Sequence, residues 1–158
     1  MGKENGEMRL RAYVFDDDEN IRILLATILT NRGYEVEAFA DPRLCPLALE
    51  ENCACPHGSA CCDIIISDLH MPRTSGLDFL EIQKRKGCKV ENMALISGGW
   101  NKDLQQRAAE LGCKTFDKPF LISALYEWLE ECERRVDPNR RLADLSPRDM
   151  GLSELKAG

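Results

Sequence analysis

Five times along this chain a short apolar run gives way to a helical pattern, and four of the five runs stop at a charged or hydroxyl side chain. RLRAYVF (9–15), YEVEAF (34–39), DIIISD (63–68), MALIS (93–97) and CKTF (113–116) read as strands. DENIRILLATILTNRG reads as a helix through Ile21, Leu24, Leu25, Ile28 and Leu29, capped by Asp18 and stopped by Gly33. Asp41-Pro42 is a second helix opening, which Pro46 either kinks or delays. SGLDFLEIQKRKG, KDLQQRAAELG and LISALYEWLEECERR complete the set, the last through Leu121, Leu125, Trp128 and Leu129. This alternation predicts a single α/β domain: a parallel sheet, helices on both faces, right-handed crossovers. The apolar DIIIS fits a strand buried on both sides. We expect an extension at 1–8, the domain at 9–134 with a cysteine-rich loop at 52–62, and a polar tail at 135–158.

In sheets of this kind a ligand sits beyond the carboxyl ends of the strands. Those ends carry Asp16 and Asp17, Asp68, Ser97 and Lys118. Three converging carboxylates repel one another unless a cation intervenes. Mg²⁺ suits them, being hard, oxygen-seeking and content with one or two carboxylates plus water and phosphate oxygens. A carboxylate beside Mg²⁺ and a lysine can act as nucleophile toward a phosphoryl donor, giving an aspartyl phosphate. Asp18 and Glu19 are ordinary first-turn acids of a helix.

The net charge of −6 gives no general attraction to nucleic acid. No apolar run approaches the roughly 18 residues of a membrane span. MGKENGEMRLR lacks a secretory apolar stretch, so a cytoplasmic location is expected. Eight cysteines are many for a reducing compartment, and their clustering suggests metal or redox chemistry.

FDDDENIR, SDLHMPRTSG, ALISGG and FDKPF resemble the receiver domains of bacterial two-component response regulators, over about residues 9–134. Arg22 follows Asp17 by five residues, and Pro72 and Gly76 follow Asp68 by four and eight, as in that family. The resemblance implies a flavodoxin-like, doubly wound five-stranded sheet in the order 2-1-3-4-5. It implies that Asp68 accepts a phosphoryl group and that Asp17 binds Mg²⁺ directly, Asp16 mainly through water. It makes the backbone carbonyl of His70 a further ligand, its imidazole a surface group, Ser97 the switch hydroxyl and Lys118 the phosphoryl partner. Pro119 would follow a cis peptide.

Two positions depart from the pattern. Thr115 stands where the family often has an aromatic switch residue; Phe116, one later, reads either as that switch or as core. Gly98-Gly99 after Ser97 suggests a flexible loop and quick self-dephosphorylation, and Trp100 reads either as exposed near the output surface or as packed on the next helix.

ENCACPHGSACC lengthens the connection before the third strand and carries Cys53, Cys55, His57, Cys61 and Cys62, with Cys45 upstream. Zn²⁺ at these residues, a redox-responsive disulfide, or free thiols packed as small hydrophobes all remain open, because the usual C-x2-C spacing is absent. Cys88, Cys113 and Cys132 are scattered.

The resemblance therefore implies a stand-alone receiver. A sensor histidine kinase or phosphotransfer protein would phosphorylate Asp68, switching a protein-binding face near the last two helices, with no direct DNA or membrane binding. Self-phosphorylation from small phosphodonors and self-dephosphorylation are expected rather than dedicated enzymatic activity. The competing function is a receiver-fold module sensing metal or redox state through the cysteine loop.

Overall fold

The computed structural model describes residues 9–45 and 59–142. Its elements in order are β1 (Leu10–Phe15), α1 (Glu19–Asn31), β2 (Tyr34–Phe39), a 3-10 turn (Pro42–Leu44), β3 (Ser59–Ala60), β4 (Ile64–Asp68), α2 (Gly76–Arg85), β5 (Asn92–Ser97), α3 (Lys102–Leu111), β6 (Lys114–Asp117), α4 (Ile122–Arg135) and β7 (Arg141–Leu142). Five strands form one parallel sheet in the order β2-β1-β4-β5-β6. With the two-residue β3 set apart, this is the 2-1-3-4-5 order that the resemblance implied. β3 and β7 pair with each other in a separate parallel ribbon.

The strand period of two sorts the core into two layers. Tyr13, Phe15, Ile65, Met93 and Leu95 point to one face, where they meet Leu77 and Leu80 of α2 and Ala108 of α3. Ala12, Val14, Ile64, Ile66, Ala94, Ile96 and Phe116 point to the other, against Leu25, Ile28 and Leu29 of α1 and Leu125, Trp128 and Leu129 of α4. Every residue of β4 and β5 is buried, which explains why DIIIS shows no alternation.

The helix signals act as written. The Asp18 side chain accepts from Asn20 N and caps α1, and Ser75 and Asn101 cap α2 and α3 in the same way. Gly112 ends α3 at φ +81, a left-handed conformation that a side chain would strain. Asp41 and Pro42 do open a helical turn, but it is a 3-10 turn that ends at Leu44; Pro46 and the helix expected after it lie outside the described residues. Leu121 needs correction. It caps α4 from outside and is 71% exposed, so the buried stripe begins at Leu125 and continues to Cys132.

Two features fix β4 at its two ends. Gly76 N donates to the Leu69 carbonyl at 2.8 Å, and a Cβ at 76 would lie 2.1 Å from the Asp68 carbonyl oxygen, so only glycine fits. At the amino end of the sheet, buried Asp63 accepts from Arg11 N and from Arg140, whose Nε and Nη2 stand 2.7 and 2.6 Å from its two oxygens. The polar segment after α4 therefore folds back as far as Leu142 and joins the core, Val136 packing against the layer that includes Trp128 and Cys132. On the far side of the sheet, Arg32 holds Glu133 bidentately at 2.9 and 2.7 Å, and the Tyr34 hydroxyl donates to the same carboxylate at 2.8 Å.

Candidate functional site

The parallel sheet delivers the carboxyl ends of β1, β4, β5 and β6 to one edge, and the singled-out residues follow them there. Asp16 has no solvent exposure and Asp68 only 5%, while Asp17 is exposed at the rim. Ligand oxygens of Asp16, Asp17 and Asp68 lie within 4.8 Å of one another. Lys118 Nζ stands 3.0 Å from Asp68 Oδ1 and 3.3 Å from Asp16 Oδ2.

Local chain geometry explains this convergence. Asp16 Oδ1 accepts from Asp18 N at 2.9 Å, and its carbonyl accepts from Arg22 at 2.9 Å, so the turn into α1 holds the carboxylate inward. Lys118 N donates to the Ser97 carbonyl at 2.9 Å, which aligns the ends of β5 and β6. The peptide between Lys118 and Pro119 is cis, as the resemblance implied. Ser97 Oγ is buried and accepts from Gly99 N at 2.9 Å. His70 is exposed, two residues beyond Asp68, with its imidazole beside Gly99.

Burial raises the pKa of Asp68, the Lys118 hydrogen bond opposes this, and the neighbouring Asp16 charge adds to it. Burial likewise raises that of Asp16, against the Asp18 backbone hydrogen bond and the Lys118 charge. For Lys118, burial pulls the pKa down, but the hydrogen bond to Asp68 and the charges of Asp16 and Asp68 outweigh it and leave it raised. One ammonium is thus left to balance three carboxylates. Asp16 Oδ2 is buried without a well-directed hydrogen bond, facing the lysine only as a charge. An orphaned buried carboxylate oxygen within this trio fits a hard divalent cation.

A model of the response regulator receiver domain matches residues 12–130. This chain belongs to that family. The receiver is 26% identical over 125 residues to a probable chemotaxis protein CheY of Rhizobium etli, covering 77% of this chain and 91% of that protein. It is 30% identical over 122 residues to the transcriptional regulatory protein PdtaR of Mycobacterium tuberculosis, covering 76% of this chain and 55% of that one. The receiver also superposes on the Vibrio cholerae chemotaxis protein CheY4 with a TM-score of 0.63 and 25% identity, covering 78% and 98% of the two chains. Receiver domains generally bind Mg²⁺ at an acidic pocket and interact with histidine kinases or phosphotransfer proteins.

Several details of this receiver were not legible in the sequence. Phe116 is 6% exposed and meets Trp128 edge-on at 6.0 Å, so it occupies the core. Trp100 is half-buried, packs in the layer that includes Leu104, and donates from its indole N–H to the Phe116 carbonyl at 2.9 Å. Arg22 enters as a brace for Asp16, a role its spacing did not reveal. Among the cysteines, Cys53, Cys55 and His57 lie outside the described residues. Among the described residues Cys45, Cys61, Cys62 and Cys132 are buried and Cys88 and Cys113 half-buried; Cys61 and Cys62 precede β4, at the opposite end of that strand from Asp68. Burial lifts the Cys113 thiol to about 11 and Cys132 to about 12. Among the described residues the acidic trio alone gathers three metal-ligating side chains, and no helix is long and apolar enough to cross a membrane.

Proposed function

We propose that Asp68 accepts a phosphoryl group from a sensor histidine kinase or a phosphotransfer protein, and that the resulting aspartyl phosphate alters a protein-binding face around α3, β6 and α4. The observation that carries this reading is the acidic trio within 4.8 Å, with Lys118 Nζ 3.0 Å from Asp68. An Asp68 carboxylate oxygen forms the new bond to phosphorus. The bond from phosphorus to the donor's imidazole nitrogen breaks, and its electron pair stays on that nitrogen.

Asp17, Asp68 and the His70 carbonyl would hold Mg²⁺, with Asp16 acting through water. When bound, Mg²⁺ supplies positive charge that neutralises the carboxylates and the transferring oxygens. Lys118 screens the same charge from the other side. The Ser97 hydroxyl, which accepts from Gly99 N, would leave it and donate to a phosphoryl oxygen, loosening the loop that leads to Trp100. This is a two-state element biased by one local charge.

Ile21, Leu24, Pro119 and Phe120 line a shallow apolar groove beside Lys118, next to the acceptor. A donor protein must approach along this rim to reach Asp68, so we assign its contact there. Acetyl phosphate with Mg²⁺ tests the central step. Intact mass should rise by one phosphoryl group in the wild type and stay unchanged in Asp68→Asn; no addition to either protein would overturn the assignment.

A further inference from the structure

Tyr13 of β1 sits among thiols. Its phenol pKa is raised, first by burial and then by the neighbouring Cys62, Cys45 and Cys61. Cys61 and Cys62 are 1% and 0% exposed, and their sulfurs face each other at 3.9 Å. Packing alone does not require two adjacent thiols to turn toward one another.

Cys62 also stands in the wall of a cavity of about 270 Å³ that includes Ala60, Asp63, Arg135, Arg140 and Arg141. The segment after α4 forms the outer wall. Arg140 clamps it by its two bonds to Asp63 and one to the Arg9 carbonyl. β7 adds a parallel pairing to β3, directly before Cys61. Cys61 and Cys62 thus belong to the apolar layer with Tyr13 and Cys45, and on the cavity side Cys62 is covered by a short, polar, mostly electrostatic clasp.

We propose that Cys61 and Cys62 form a hydroperoxide-responsive thiol pair, entered through this cavity and guarded by the segment from Val136 to Leu142. The Cys62 thiol, as its thiolate after losing a proton to solvent, attacks the peroxide oxygen. The O–O bond breaks, leaving a sulfenic acid on Cys62 and releasing the peroxide's other half as water or an alcohol. Cys61 then attacks the Cys62 sulfur, the S–S bond forms, and the sulfenic oxygen departs as water with the Cys61 proton. The two thiols together lose two electrons and the peroxide gains them. Adjacent residues have Cα atoms about 3.8 Å apart, below the roughly 4.4–6.8 Å of relaxed disulfides. The product is therefore strained, and a small thiol reductant restores it easily, as suits a regulatory rather than a structural bond.

The experiment exposes the full chain to dilute hydrogen peroxide, denatures it, alkylates the free thiols and maps them by mass spectrometry. The peptide holding Cys61 and Cys62 should lose two hydrogens and resist alkylation until dithiothreitol is added. In Cys61→Ser, dimedone should label Cys62. In Arg140→Ala, the oxidised peptide should form several-fold faster. Full alkylation of both thiols while other cysteines oxidise, or a bond from either thiol to Cys45, Cys53 or Cys55, would overturn the pairing. An unchanged rate in Arg140→Ala would overturn the guarded entry. The wild-type map stands whether or not the variants fold.

Discussion

Lys118 Nζ is 3.0 Å from Asp68 Oδ1, and the same ammonium is 3.3 Å from Asp16 Oδ2. One cation serves two buried carboxylates, with Asp17 as a third charge at the rim. The three carboxylates are consequently under electrostatic tension, and much of the protein's measurable behaviour should follow from how that tension is relieved.

The pH dependence of stability has a definite sign. Asp16 and Asp68 hold their protons more tightly folded than unfolded, since burial raises both. Without metal, stability should fall as pH rises from the ordinary aspartate value of 3.8 through their raised folded values. Lys118 has the same sign in a higher window: its contribution is full below 10.5 and is lost as pH climbs through its raised value. Asp16→Asn keeps an oxygen for Asp18 N and removes one charge. It should melt higher than the wild type at pH 7 by roughly 1–2 kcal/mol, with the gap closing near pH 4. Calorimetry at the two pH values checks this.

Mg²⁺ should raise the melting temperature of the wild type at pH 7, because binding to the folded state alone adds stability. The rise should be absent or small in Asp17→Asn. Thermal scans over a Mg²⁺ series, with Ca²⁺ for comparison, measure it.

Leu24→Asp separates donor docking from acceptor chemistry. Leu24 is 37% exposed in the groove beside Lys118 and far less engaged than Leu25. Transfer from a phosphorylated histidine protein should slow at least tenfold, while acetyl phosphate should modify Asp68 at the wild-type rate. Equal losses with both donors would remove the docking role.

Trp100 should report the switch. Beryllofluoride with Mg²⁺ mimics the phosphoryl group, and Ser97 leaving Gly99 would strain the Trp100 to Phe116 hydrogen bond. Indole emission should change in the wild type and stay constant in Trp100→Phe, which retains Trp128 as an internal control. Ser97→Ala should flatten the response while leaving Asp68 able to accept phosphate.

Glu133→Gln tests the tie on the far side of the sheet. It removes the charge that Arg32 holds bidentately and that also receives the Tyr34 hydroxyl. A loss of about 1–2 kcal/mol is expected from denaturant melts, with phosphorylation unaffected.

The acidic site was readable because its members sit immediately after apolar runs, and a parallel sheet gathers all such positions at one edge. What escaped reading lacks any local period. Arg140 and Asp63 are 77 residues apart, and nothing near either shows the partner. Leu121 lies four residues before Leu125 and looks like its helical neighbour, yet the helix begins at Ile122 and leaves it in solvent. Trp100 stands in a loop, where spacing has no meaning, and its role came from one bond to a strand carbonyl. The cysteines were visible as a cluster, but only the fold shows that Cys61 and Cys62 face each other at the pole away from the acidic trio.

Gly76 deserves a last consequence. Its backbone presses so closely on the Asp68 carbonyl that no methyl group could intervene, whereas a Cβ at Gly98 or Gly99 would find ordinary contact distances of 3.7 and 3.5 Å. The two banks of the site therefore differ in slack. Asp68 is anchored to a helix as a fixed stop, so displacement by any incoming charge should be channelled into the opposite bank, the glycine loop that carries Trp100.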